Sequence, residues 1–246
     1  MIYNQTLENT VGDNYLLDYH TTKALSLALD AVRTQDDTLI LSNAGEYSFQ
    51  ISGGKKRVSV FYPEYKEYYD GVPRSGRWSV EWDGDFKIPG QKLKLTLGPN
   101  FKAFDWGFAG VITITNWGKD QWGRDEYDIF VDSMQTGNPA YNWDWSSMKI
   151  ATVIEGQKTL ISIDDKYMIW GNSWGGNRKG RRFNAVVKDS VFFDNDCPWG
   201  ITKGRVDNSH IDLTQRIFVD FGNDEDCNEF VTFTRGDVTQ TVTKNR

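Results

Sequence analysis

Glu46-Tyr47-Ser48-Phe49-Gln50-Ile51-Ser52-Gly53-Gly54-Lys55-Lys56-Arg57-Val58-Ser59-Val60-Phe61 is the stretch that decides the fold class. Apolar and polar residues alternate on both sides of Gly53-Gly54. That alternation is the period of a strand with one buried face, and the glycine pair supplies the left-handed backbone of a tight hairpin. The period continues outward in both directions. Before it, residues 38–42 (Thr-Leu-Ile-Leu-Ser) read as a strand that turns at Asn43-Ala44-Gly45. After it, strands are expected at 77–82, 93–97, 111–115, 127–132 and 149–154, then at 159–163, 166–170, 183–187, 190–193, 216–221 and 230–234. Turn signals such as Asp83-Gly84, Pro89-Gly90, Gly98-Pro99 and Glu155-Gly156 separate them. So many short strands at this spacing imply a mainly β, antiparallel sandwich or jelly-roll-like single domain.

One helix precedes the strands. Residues 1–18 are polar and turn-rich and read as an arm. Thr21 or Thr22 then offers a cap, and Leu25, Ala28, Leu29 and Val32 fall at i, i+3, i+4 and i+7 over a helix at 22–33. The expected organisation is an N-terminal arm and short helix over 1–37 and a β-sandwich over 38–246. The Leu25, Leu29 and Val32 face is expected to pack on the sandwich or on a neighbouring subunit during assembly.

Composition narrows the function. Hydrophobic residues are only 39%, but ten Trp lift the aromatic share to 14%, enough for a sizeable core. The net charge of −6 argues against a specific nucleic-acid partner, whose phosphates must be neutralised. The opening Met1-Ile2-Tyr3-Asn4-Gln5 lacks the basic and apolar segments of a signal peptide, and no stretch is long and apolar enough to span a bilayer. A cytoplasmic protein with no membrane partner is therefore expected. Cys197 and Cys227 leave three readings open: two reduced thiols, one bridge, or a metal role.

No catalytic motif stands out. His20, at the start of the expected helix, and His210, in an expected polar loop, are the only histidines, too few for Ser-His or Cys-His chemistry or a His-rich zinc site. No enzyme activity and no metal are expected. The acidic loops Asp164-Asp165, Asp194-Asn195-Asp196 and Asn223-Asp224-Glu225-Asp226 read as solvated, with calcium as the sharper alternative. Trp106, Trp117, Trp122, Trp143, Trp145, Trp170, Trp174 and Trp199 lie near Gly, Asn or Asp, where rings either anchor loops or stack on sugars. Arg178, Lys179, Arg181 and Arg182 form the densest basic run. It is no P-loop, but it is compatible with a phosphate, a nucleotide or an acidic partner.

Two resemblances follow from these residues. Lys166-Tyr167-Met168-Ile169-Trp170 resembles the Glu-x-Met-Ile-Trp strand of jelly-roll endoglucanases of the xyloglucanase-like clan, but Lys166 stands where that family has its nucleophile. The whole-chain pattern of a helix at 22–33, strands from Thr38 onward and no enzymatic signature resembles the cypovirus polyhedrins. That resemblance implies a self-assembling viral structural protein, the matrix of a cytoplasmic occlusion body in an infected host cell. Its partners would be itself, in a trimer-based lattice, and virus particles. It also implies dissolution at alkaline pH and a possible nucleotide between subunits, with no other cofactor. A bacteriophage head or tail component, or a glycan-binding jelly-roll protein (a lectin or glycoside hydrolase relative), fits the same features.

Overall fold

The computed structural model describes residues 5–34, 46–67, 70–138, 141–210, 216–223 and 227–244. Its one helix, α1 (Gln5–Thr34), is followed by β1 (Glu46–Ser52), β2 (Lys55–Glu67), β3 (Pro73–Asp83), β4 (Lys92–Leu97) and β5 (Lys102–Ala103). Then come β6 (Trp106–Lys119), β7 (Asp125–Asn138), β8 (Tyr141–Glu155), β9 (Lys166–Gly176) and β10 (Arg182–Asp194). The last four are β11 (Ile201–His210), β12 (Arg216–Asp220), β13 (Phe230–Arg235) and β14 (Val238–Thr243).

All the strands belong to one antiparallel sheet in the order β1-β2-β3-β4-β6-β7-β8-β9-β10-β11-β12-β13-β14, with the short β5 bridging β3 and β6. The expected class holds: mainly β, antiparallel, with an N-terminal helix. The connectivity is a meander in which each strand pairs with its sequence neighbour, not the Greek-key crossing of a jelly roll. The 53–54 hairpin joins β1 and β2 in register, Glu46 opposite Phe61 and Ser52 opposite Lys55. The expected strands at 183–187 and 190–193 are one strand, β10, with an irregular stretch where its register shifts.

The sheet curls around the helix. Thr10 of α1 reaches His210 on β11, and Asn14 reaches Trp145 on β8 and Ser173 on β9. Tyr19 packs on Phe193 of β10, and His20 packs on Phe104 and Phe108. Ala24 and Leu27 share a small crevice with Leu97 of β4 and Met134 of β7. A helix of 30 residues is about 45 Å long, close to the length of the 13- to 15-residue strands around it. Such strong curvature needs close strand contacts. At Gly171 (φ 119°) a Cβ would lie 2.2 Å from the carbonyl oxygen of Met148.

The helix starts far earlier than the expected 22–33. Residues 9–18, read as a polar arm, are α-helical, and all but Asn9 and Gly12 are buried. Thr21 and Thr22 do not cap the helix; their hydroxyls donate to the carbonyls of Leu17 and Asp18 one turn back. Leu25 and Leu29 are buried, as is Val32, in the protein's own core, so they form no exposed assembly face. Asp13, Asp18, Lys23 and Asp30 are also buried, an unusual load of charge for an enclosed helix. The sheet answers each one. Arg178 Nε donates to Asp13 at 2.6 Å and Lys149 pairs with Asp18. Lys23 Nζ donates to the Asn195 carbonyl at 2.6 Å, and Asp30 accepts from the Ser162 amide at 2.7 Å and its hydroxyl at 3.0 Å. Arg33 continues the series on Asp165 at 3.0 Å.

Two other expectations are corrected. Residues 159–163 form no strand. Thr159 closes a turn on the Gly156 carbonyl, and Ser162–Asp164 is a 3-10 turn fixed by Asp30. His210 lies in β11, not in a loop, and His20 lies in the middle of α1. The expected strand at 38–42 lies outside the described residues. Cys197 and Cys227 form a disulfide that closes a loop across a separation of 30 residues and ties the β10–β11 turn to the loop before β13.

The buried ion pair gives a direct test. Asp18→Ala leaves the Lys149 ammonium enclosed without its partner, and a loss of about 3–5 kcal/mol in unfolding free energy is expected. Asp18→Leu combined with Lys149→Met should recover most of it in urea titrations. A single variant as stable as the parent would show that water reaches the pair.

His20 gives a pH test. Burial, then the nearby Arg74 and Lys23, lower its pKa to about 3, with Asp70 opposing. The unfolded imidazole titrates near about 6.5. Between those values the unfolded chain binds a proton that the folded chain refuses. Stability is therefore lost as pH falls from about 6.5 to about 3, at up to about 1.4 kcal/mol per pH unit from this group. The raised carboxyls Asp13, Asp18 and Asp165 act in the opposite sense over the acid range. His20→Leu removes only the His20 contribution. Its stability relative to the parent should rise steadily from pH 7 to pH 4 in urea titrations, and a constant difference would refute the assignment.

Candidate functional site

The sheet is filled unevenly. Between the N-terminal half of α1 and β11–β14 lies an open-mouthed cavity of about 300 Å³. Inward-facing Val206, Val219, Phe221, Val231, Phe233 and Val242 form one wall, and Val11, Gly12 and Tyr15 of the helix form the other. These strands alternate with a period of two. Val206 and Asn208 face inward, while Asp207 between them pairs with Arg216 at 3.1 Å on the outer side.

Eight of the lining residues are polar, among them Asn14, Arg178, Asn208, Gln240 and Lys244. Asn14 is already engaged with Ser173 and Trp145. Arg178 is held by Asp13 and lies 5.0 Å from the Trp106 ring and 5.8 Å from the Trp143 ring. Lys244 donates to the carbonyls of Ile201 at 2.7 Å and Asn228 at 2.9 Å, over the Phe221 ring, and burial pushes its pKa down to about 8. Asn208 differs. It is 3% exposed, belongs to the lining, and its buried Oδ1 has no hydrogen-bond partner among the described residues. A buried carbonyl oxygen without a donor costs on the order of 1–3 kcal/mol.

Gly12 is the second distinctive residue. A Cβ built on it meets nothing within 4 Å, so the helix leaves a gap where the cavity begins. Elsewhere the helix presents side chains that fill the space under the sheet.

The basic run is divided by the β9–β10 turn. Arg178 is committed to Asp13 inside and Arg182 to Asp144 at 2.8 Å outside. Lys179 and Arg181 are exposed on the turn, where the Asn177 side chain accepts from both of their backbone amides. Of this run, only Arg178 lines the cavity. Trp143 and Trp145 are core residues, whereas Trp117, Trp122 and Trp170 are exposed. Trp117 lies near the end of β6, Trp122 in the β6–β7 turn, and Trp170 on β9.

Two of the acidic loops are structural. Asp165 is buried and accepts from Arg33 and from the Tyr167 hydroxyl at 2.9 Å. Asn195 donates to the Ser26 hydroxyl at 2.7 Å. Residues 224–226 of the third loop lie outside the described residues. His210 Nε2 lies 2.7 Å from Thr10 Oγ1, where it fastens the helix start to β11. Glu81 pairs with Arg57 across the outer face at 3.4 Å.

Reading the sequence missed the cavity because two of its four strands, β11 and β14, were not expected at all. A signal was present: Val206-Asp207-Asn208 and Val238-Thr239-Gln240-Thr241-Val242 alternate, each with an amide side chain at an apolar-phase position. No protein-family model, no curated protein and no solved structure matches this chain.

Proposed function

We propose that this protein binds a small amphipathic molecule in the cavity between α1 and β11–β14. The observation that carries the reading is the open-mouthed cavity itself, about 300 Å³, whose wall sets Val, Phe and Tyr side chains beside polar ones. Small-molecule sites combine apolar walls with one or a few orienting polar groups in this way. The ligand class follows from the lining: an apolar body against the Val, Phe and Tyr side chains, with at least one hydroxyl or N–H for the polar ones. A cavity of about 150 Å³ accepts benzene, so about 300 Å³ suits about a dozen non-hydrogen atoms. The Cys197–Cys227 bridge supports residence in an oxidising compartment, where soluble binding proteins meet external ligands.

2-Naphthol is a suitable probe, because it fluoresces, has an apolar body and donates one hydrogen bond. Saturable binding on the order of 10–100 µM is expected. 2-Methoxynaphthalene, with no donor, should bind about tenfold more weakly. Gly12→Leu should fill the gap on the helix and eliminate binding of both probes. It should also stabilise the fold by about 0.5–1 kcal/mol, because glycine is the poorer helix former. Absence of saturable binding, or unchanged binding by Gly12→Leu, would overturn the reading.

A second reading, self-assembly as a structural protein such as an occlusion-body matrix, is supported by one specific observation. The sheet ends in two strand edges, β1 and β14, that have no partner among the described residues. Alkaline release would then have a physical basis. Burial raises the Tyr127 pKa to about 12 and the Tyr167 pKa well above its ordinary value. Unfolded tyrosines ionise near about 10, so folded, assembled protein loses stability as pH rises beyond that point. The expected outcome is micrometre crystals in cells that express the chain alone, dissolving above about pH 10. Soluble protein at high expression would refute this second reading.

A further inference from the structure

We infer that β14 pairs with β14 of a second copy about a two-fold axis at Gln240, and that the partner strand completes the open wall of the cavity. The second part rests on the ligand-binding reading above; the dimer itself does not.

The strand carries the argument. Val238-Thr239-Gln240-Thr241-Val242 is a palindrome centred on Gln240. A two-fold interface brings the same patch of each copy together. Antiparallel pairing of this strand with itself therefore sets Val238 opposite Val242, Thr239 opposite Thr241, and Gln240 opposite Gln240. Every match is like with like.

The backbone phase agrees. Lys244 N donates to the Glu229 carbonyl at 2.7 Å, so residue 244 turns its hydrogen-bonding groups toward β13. Along an antiparallel strand that orientation alternates. Residues 242, 240 and 238 thus also face β13, and 239, 241 and 243 turn their amides and carbonyls to the open edge. In the two-fold register, 239 meets 241 as a hydrogen-bonded pair and 240 meets 240 as a non-hydrogen-bonded pair. This is the pattern that antiparallel pairing requires.

The side chains agree as well. Thr241 lies 3.3 Å from Thr232, and Thr239 lies 3.2 Å from Thr234, hydroxyl to hydroxyl on the outer face. The pairing would extend them into two rows of four threonines across the seam. On the inner face, Gln240 and Val242 line the cavity, so the partner's strand would lie along its rim.

The edge is also unguarded. Val238–Thr243 has no charge and no proline, and five of its six residues are exposed. Edge strands that stay unpaired in solution are normally protected by a lysine, a proline or a bulge.

A two-strand seam is smaller than a standard interface of about 1,600 Å², so association in the micromolar range is expected. Sedimentation should show a concentration-dependent monomer–dimer equilibrium with no larger species. Thr241→Pro removes an edge-facing amide but no bond to β13, so it should give a folded monomer. Gln240→Cys should cross-link two copies rapidly under mild oxidation, because residues at such a pair lie about 4.5 Å apart, within disulfide reach. Thr234→Cys, one strand inside the edge, should not. A parent protein still monomeric at about 1 mM, cross-linking of Gln240→Cys no faster than of Thr234→Cys, or growth into open filaments would each overturn the inference. These measurements use no ligand, so failure of 2-naphthol binding leaves them standing, and their failure leaves the cavity reading standing.

Discussion

A 30-residue helix with four buried charged side chains is stable inside a sheet only if the sheet supplies each with a partner. An enclosed charge without one costs several kcal/mol, comparable to the whole stability of a domain. That constraint fixes the relation between helix and strands. Asp13, Asp18, Lys23 and Asp30 occur along one axis, and their partners Arg178, Lys149, Asn195 and Ser162 are spread from β8 to the β10–β11 turn. Hydrophobic burial alone would tolerate a sliding or rotated helix. These pairs tolerate neither, because a shift of one turn would strand several charges at once.

The same constraint explains what could be read from the sequence. Strands β1–β4 and β6–β9 were legible because one face of each meets water, so alternation survives. The helix was legible only over 22–33, where Leu25, Leu29 and Val32 give a familiar apolar stripe. Its first half, with Asn9, Thr10, Gly12, Asp13 and Asn14, has weak helical propensity and no stripe. Those residues are helical because the sheet satisfies them, through His210, Arg178, Trp145 and Ser173. The partners lie more than 100 positions away, and no local pattern reports them. Residues 159–163 failed in the opposite sense. Their alternation is real, but Asp30 fixes Ser162 in a 3-10 turn.

The candidate site was less legible still. The run at 178–182 is conspicuous as composition, yet the decisive fact about Arg178 is Asp13, 165 residues earlier. Once paired, the arginine becomes part of the wall instead of an anion receptor. The informative residues are quieter: an Asn in the inward phase of β11, and a Gly in the helix opposite it. Neither type suggests a site until the topology brings them to one cavity.

Cavity and open edge have a common origin. From β6 to β10 the strands have 11 to 15 residues and run along most of the helix, whereas β12, β13 and β14 have five or six. Short strands span only part of a helix about 45 Å long. On this side the helix also loses bulk, at Gly12, and the inward residues become mostly Val, with Phe221, Phe233 and Asn208, instead of the Trp and Tyr found under β3, β8 and β9. The wall therefore thins, and the sheet stops before it meets β1. A sheet that ended on long, charged strands would be both closed to ligands and indifferent to neighbours. This one ends on a short, uncharged strand whose inner face belongs to the cavity and whose outer edge pairs with no other strand among the described residues. A group that paired with that edge would change the mouth of the cavity, so association at β14 would be coupled to occupancy by geometry.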